Sequence, residues 1–240
     1  MADLNSIRMG QAGARSAQID QGLRAYMNRV YGLMSMGLGV TGVVAWFVGT
    51  NPALLAQIFN SPLKWVVMFA PLAVVFFFGA AINRLSQAAA QGVFLLFAAL
   101  MGLSISYIFA IYTGVSIAQT FLVTAIAFAG LSLFGYTTKR DLSGMGTFLV
   151  MGLIGLIVAS IVNIFLASPA VMFAISCIGV LIFAGLTAFD TQRIKSLYVQ
   201  MAAQGDGEWL GKSAIMGALN LYLNFLNMFM FLLQFMGNRN

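Results

Sequence analysis

Asp190 is a carboxylate set directly after an uncharged apolar run, residues 171–189, and Asn220, Asn224 and Asn227 put a second polar group into the apolar run near the C-terminus. Spacings of four and three place the three amides on one face of a helix. Carboxylate and carboxamide oxygens are ligands for a hard cation, and a carboxylate can also exchange a proton. Arg84, preceded by Asn83, ends another apolar run. A guanidinium is a natural counter-charge for a partly buried carboxylate, so we expect an Arg84–Asp190 ion pair; the alternative is that Arg84 only reaches out to lipid headgroups.

The other acidic residues have simpler explanations. Asp3, Asp20, Asp206 and Glu208 fall in the N-terminal tail or the longest polar loop, where solvation accounts for them. Asp141 stands in GYTTKRDLSGMG (135–146) beside Lys139 and Arg140, where we expect a capping, charge-paired turn. Histidine is absent, and the single cysteine, Cys177, sits inside an apolar run, so neither a disulfide framework nor metal-ligand spacing can be read. Nothing positions a serine and a lysine as nucleophile and base. We therefore expect no enzymatic activity and no cofactor. The net charge of +6 is spread over short loops and a tail, with no basic stripe interleaved with aromatics, which points to anionic lipid headgroups and not to nucleic acid.

The elements that position these residues follow from the solvent the chain must live in. With 61% hydrophobic and 8% charged residues, 240 residues carry too little charge for a water-soluble surface. A spanning helix needs roughly 20 mostly apolar residues. Uncharged stretches of 34, 19, 54, 48 and 26 residues separate Arg29 from Lys64, Lys64 from Arg84, Arg84 from Lys139, Asp141 from Asp190, and Lys212 from Arg239. The first holds one span, because Asn51, Pro52, Asn60, Ser61 and Pro62 break a helix and favour loop. The two longest hold two each, divided at Tyr112-Thr113-Gly114 and Ala167-Ser168-Pro169.

The resulting expectation is an all-α integral membrane protein with seven spans, at about 29–49, 65–83, 90–112, 116–136, 145–167, 170–190 and 213–236, behind a polar N-terminal segment 1–25. Continuous apolar runs without period-two alternation argue against a β-barrel, and from the polar N-terminal segment we expect no cleavable signal. Ser35 and Gly39, four apart in the first span, are expected to let helices pack closely. The three amides should face the bundle interior or a wet cavity, since three on one face in lipid would be costly; the alternative is hydrogen bonding that only joins helices. With seven spans, ten of the twelve Lys and Arg fall on the side of the N-terminus and two, Lys64 and Arg239, on the other. That asymmetry predicts a cytoplasmic N-terminus and an outside C-terminus.

FAGLTAFDTQRIK (183–195) followed by ALNLYLNFLNMF (218–229), with the GYTTKRDLSGMG turn, resembles the Bax inhibitor family, also called the transmembrane Bax inhibitor motif family, in its bacterial branch. The likeness covers all but the first 25 or so residues. It implies six helices around a central seventh and a pH-sensitive Ca²⁺ leak, in a bacterial inner membrane. It also implies an aspartate pair sharing a proton between the sixth and seventh helices, latched by an arginine on the second. Asp190 matches the first aspartate and Arg84 the arginine, but the second aspartate is replaced by Asn224. Two close carboxylates can share a proton, whereas a carboxylate facing an amide cannot, so weaker or shifted pH gating is expected. A lone Asp190 among amides, carbonyls and water would hold Ca²⁺ weakly and transiently, which suits passage better than storage. Two further functions fit: a membrane regulator that binds a partner such as a membrane protease, and a Ca²⁺/H⁺ exchanger.

Overall fold

The structure is a computed structural model describing residues 2–201 and 207–240, with side chains described from Ile19 onward. Asp206, and the side chains of Asp3, Arg8 and Arg15, lie outside the described residues. Among the described residues the chain forms nine helices: α1 (Ala2–Gly49), α2 (Pro52–Phe59), α3 (Leu63–Ala81), α4 (Gln87–Ile105), α5 (Ile108–Ile111), α6 (Gly114–Thr137), α7 (Ser143–Leu166), α8 (Pro169–Met201) and α9 (Gly207–Met236). Seven helical segments, all but α2 and with α5 continuing α4, are long and apolar enough to cross a membrane. Their outer faces carry side chains that water would penalise, such as Phe76 and Phe77 on α3 and Phe165 on α7, each at least 75% exposed.

The boundaries follow from local chemistry. Thr113 ends the turn before α6 and accepts the Ser116 N–H on its hydroxyl at 3.2 Å. At the other expected turn Ala167 takes a left-handed conformation, φ 49°, and Pro169 opens α8. Asn163 holds that turn together, its side chain accepting the Ser168 N–H at 3.2 Å. The region expected to be loop between the first two spans contains α2. Asn51 and Pro52 do interrupt α1, but they then serve as N-cap and first residue of a new helix, Asn51 accepting the N–H groups of Ala53 and Leu54. Ile58 of α2 packs with Val48 and Val67 in a small apolar cluster of its own.

The C-terminal helix is the most buried of the seven spans. Of the most apolar stretch of α9, 61% is buried, against 17% for α3 and for α7. Helices α1, α4, α6 and α8 pack closely on α9, whereas α3 packs on α2 and α4, and α7 packs on α8. One contact joins the two ends of the chain. Thr41 gives its single hydroxyl proton to the Ala98 carbonyl at 2.8 Å, so the Tyr222 hydroxyl 2.7 Å away must donate to Thr41. The Tyr222 ring is fully buried with Phe94 and Phe97 edge-on against it, both at 5.8 Å. A second relay follows the same logic. Thr191 donates to the Thr187 carbonyl, Ser132 therefore donates to Thr191 at 2.9 Å, and Tyr31 to Ser132 at 2.6 Å, tying α1, α6 and α8.

The expectation that Ser35 and Gly39 let helices approach closely is not met: both are exposed and line a cavity, and a Cβ at Gly39 would meet nothing within 4 Å. Close approach occurs instead at Gly135, where a Cβ would run into the backbone of Ala188. Gly135→Ala should therefore lower stability by about 1–3 kcal/mol through overpacking, measured as an earlier thermal unfolding transition in detergent. Gly130→Ala, on the same helix with open space around it, should change stability by no more than about 1 kcal/mol and in the stabilising direction.

Candidate functional site

Asp190 lies well inside α8, which runs on for several turns to Met201, and points at α9. There the Asn224 amide, itself buried, donates from Nδ2 to Asp190 Oδ2 at 2.6 Å. An N–H donor to a carboxylate is stronger than a bond between neutral groups, and neither side chain could be buried so cheaply alone. The pair lines a cavity of about 600 Å³ between α7, α8 and α9. Asn220 and Asn227 line it too, so the structure brings together all four of the polar residues singled out on these two helices. Asn227 donates to the Leu223 carbonyl of its own helix at 2.8 Å, which fixes its amide and leaves its oxygen for the cavity. The rest of the wall is largely apolar, with Ser160 of α7 as a further hydroxyl.

Arg84 is not part of this site. It is exposed in the turn after α3 and makes no ion pair among the described residues, so the expected Arg84–Asp190 bridge does not form. The reason lies in packing: α3 is carried on α2 and α4, and its end is therefore not presented to α8. The cation at the cavity is Arg193, one turn beyond Asp190 on α8. The basic-residue count treats Arg193 only as an orientation marker, although its spacing of three from Asp190 is legible.

The GYTTKRDLSGMG turn is fastened to α8 beside the site. Gln192 donates to the Arg140 carbonyl at 2.8 Å and accepts the Leu142 N–H at 2.9 Å, while Lys195 Nζ donates to the Tyr136 carbonyl at 2.8 Å. Asp141 acts as the expected local cap, accepting the Ser143 hydroxyl at 2.6 Å and the Ser143 N–H at 2.9 Å. It is not charge-paired with Lys139 or Arg140, since the Lys212–Glu208 bridge is the ion pair found among the described residues. The hydroxyl and then the amide of Ser143 hold the Asp141 carboxyl below its ordinary value. A carboxyl lowered by folding adds stability above its unfolded value, so this local contribution is present at neutral pH and is lost as acid protonates the group. No side-chain signal in the sequence marks Gln192 as the fastener; it is a polar residue at the polar end of a helix.

Among the described residues no three His, Cys, Asp or Glu side chains come together, so the cavity offers one carboxylate with amide and hydroxyl oxygens around it. Such a set can hydrogen-bond, carry water and hold a cation loosely.

Comparison with known proteins agrees with this architecture. The inner membrane protein YbhL of Escherichia coli K12 is 47% identical over 219 residues, covering 91% of this chain and 93% of that protein. A protein of Caulobacter vibrioides is 47% identical over 228 residues, with 91% and 90% of the two chains covered, and one of Rickettsia prowazekii is 44% identical over 226 residues, with 94% of each covered. The family model described as "Inhibitor of apoptosis-promoting Bax1" matches residues 23–240, the whole of the helical bundle from the middle of α1 onward. The chain is thus a membrane protein of the Bax inhibitor family.

Proposed function

We propose that the protein is a Ca²⁺ leak pathway of the bacterial inner membrane, with Asp190 at its cytoplasmic gate and with a pH response weakened by Asn224. The observation that carries this reading is the Asp190–Asn224 hydrogen bond on the wall of a largely apolar cavity into which Asn220, Asn227 and Ser160 also bring polar groups. A single carboxylate with carboxamide oxygens suits a hard cation that must leave as readily as it enters. Arg193 on the same wall opposes cation entry until it moves or is outcompeted. The inner membrane is carried over from the relative YbhL, an inner membrane protein by name, and the cytoplasmic N-terminus from the ten-to-two distribution of Lys and Arg.

The pH response depends on what faces Asp190. Two carboxylates at this distance would need a shared proton to stay together, so their contact would break or form as that proton comes and goes. Asn224 donates an N–H that no ordinary pH removes. The gate is therefore held by a bond indifferent to pH over the range in which Asp190 stays charged.

The test is Ca²⁺ influx into liposomes loaded with a Ca²⁺ dye, at acid and at neutral pH. Wild type should leak above empty liposomes, with a small difference between the two conditions, and Asp190→Ala should bring influx to the empty-liposome level. Wild type indistinguishable from empty liposomes at every pH overturns the leak reading and leaves regulation of a membrane partner as the one to pursue; saturable influx driven by a proton gradient would instead mark an exchanger.

Asn224→Asp creates the second carboxylate and should widen the difference between acid and neutral influx. An unchanged pH profile in that variant would remove Asn224 as the reason for weak pH gating.

A further inference from the structure

A second, larger cavity has no lining residue from α7 or α8. It is a groove of about 1120 Å³ between α1 and α6, with Phe225 of α9 also reaching it. On α1 its lining runs from Arg24 to Val43, about 28 Å at a rise of 1.5 Å per residue, close to the ~30 Å of a bilayer's hydrocarbon. Met34 and Leu38 on one wall and Phe121 and Leu133 on the other make most of its length apolar. Gly39 and Gly42 keep it open, since a Cβ at either would meet nothing within 4 Å.

The two ends differ in chemistry. Arg24, Asn28 and Tyr136 line one end, and Lys195 Nζ stands 4.9 Å over the Tyr136 ring. Arg24 is exposed and makes no ion pair among the described residues, although Asp20 stands one turn earlier. The Tyr31 and Ser132 hydroxyls in the wall are engaged in their own relay and need no ligand. The groove thus pairs a long, largely apolar channel with a cationic mouth, and both helices that form it are membrane spans.

We propose that this groove is a binding site for one anionic phospholipid, its acyl chain lying along Gly39 and Gly42 and its phosphate at Arg24 with Lys195 nearby. Charge and shape favour this occupant over others. A helix of a second copy would fill the apolar length but leave Arg24, exposed and without an ion pair among the described residues, with no counter-charge at the mouth. An extended peptide would bring backbone N–H and C=O groups to walls that cannot bond them. A basic pocket between transmembrane helices is suited to an anionic headgroup, and each nearby Lys or Arg contributes on the order of 1 kcal/mol to such attraction.

The experiment uses the full chain in nanodiscs doped with a phospholipid bearing a photoreactive acyl chain, as phosphatidylglycerol in one set and phosphatidylcholine in the other. Crosslinked positions are mapped by mass spectrometry. Phosphatidylglycerol should label residues around Leu38 and Phe121 about fivefold more than phosphatidylcholine does, the factor that roughly 1 kcal/mol represents. Arg24→Gln should remove most of that preference and Lys139→Gln, a basic residue outside the groove, should not. Gly39→Leu combined with Gly42→Leu should abolish labelling in the groove; if that variant does not fold, the headgroup comparison and Arg24→Gln decide alone. Labelling spread evenly to exposed positions such as Phe165, equal labelling by the two headgroups, or crosslinks between two copies through α1 and α6 would each overturn the proposal.

Discussion

Hydrocarbon offers no hydrogen-bond partners, and a polar group carried into this bundle is costly unless it finds one within the protein. Helices settle the backbone. The side chains are settled pair by pair: Asp190 by Asn224, Thr41 by Ala98 and Tyr222, Ser132 by Tyr31 and Thr191. Each of these bonds crosses from one helix to another, so satisfying a side chain and fixing the register of two helices are one event. Apolar contact alone would not choose the register, because lipid tails solvate a Leu or a Phe about as well as another helix does.

The polar pairs also divide labour. The relays at Thr41 and Ser132 are made of hydroxyl and carbonyl groups, and their proton directions are determined by the carbonyls at their ends. They behave as fixed joints. Asp190 differs because it carries charge and borders a cavity, with a cation one turn away. Its surroundings can exchange water or an ion without dismantling the joints elsewhere.

Much of this was legible from the sequence, for a physical reason. A carboxylate after an apolar run and amides spaced four and three apart are expensive in lipid, so they announce that they will be found together. The turn at Ala167-Ser168-Pro169 was legible because proline and a small polar residue end one helix and open the next. The second helix was missed because Asn51 and Pro52 signal both an end and a beginning, and only packing of Ile58 on Val48 and Val67 shows that a helix resumes. Arg84 was misplaced because charge complementarity says nothing about which helices are neighbours; α3 rides on α4, a tertiary fact without a local signature. Small residues at Ser35 and Gly39 were equally ambiguous, since the same spacing admits a neighbouring helix or leaves a gap.

The joint between Thr41 and Tyr222 links residues 181 positions apart, on the first helix and the last. The last helix is also the most buried of the seven spans and the least apolar of them. During synthesis, then, the earlier helices enter the membrane with their inward faces still uncovered, and Thr41 waits for a partner that has not been made. The final helix, burdened with three asparagines, is a poor solute for bare lipid and a good one for the slot those helices leave. Biogenesis of the bundle is consequently completed by its last-made and most buried span, and a ribosome that stops short of α9 leaves Thr41 without Tyr222 and Asp190 without Asn224.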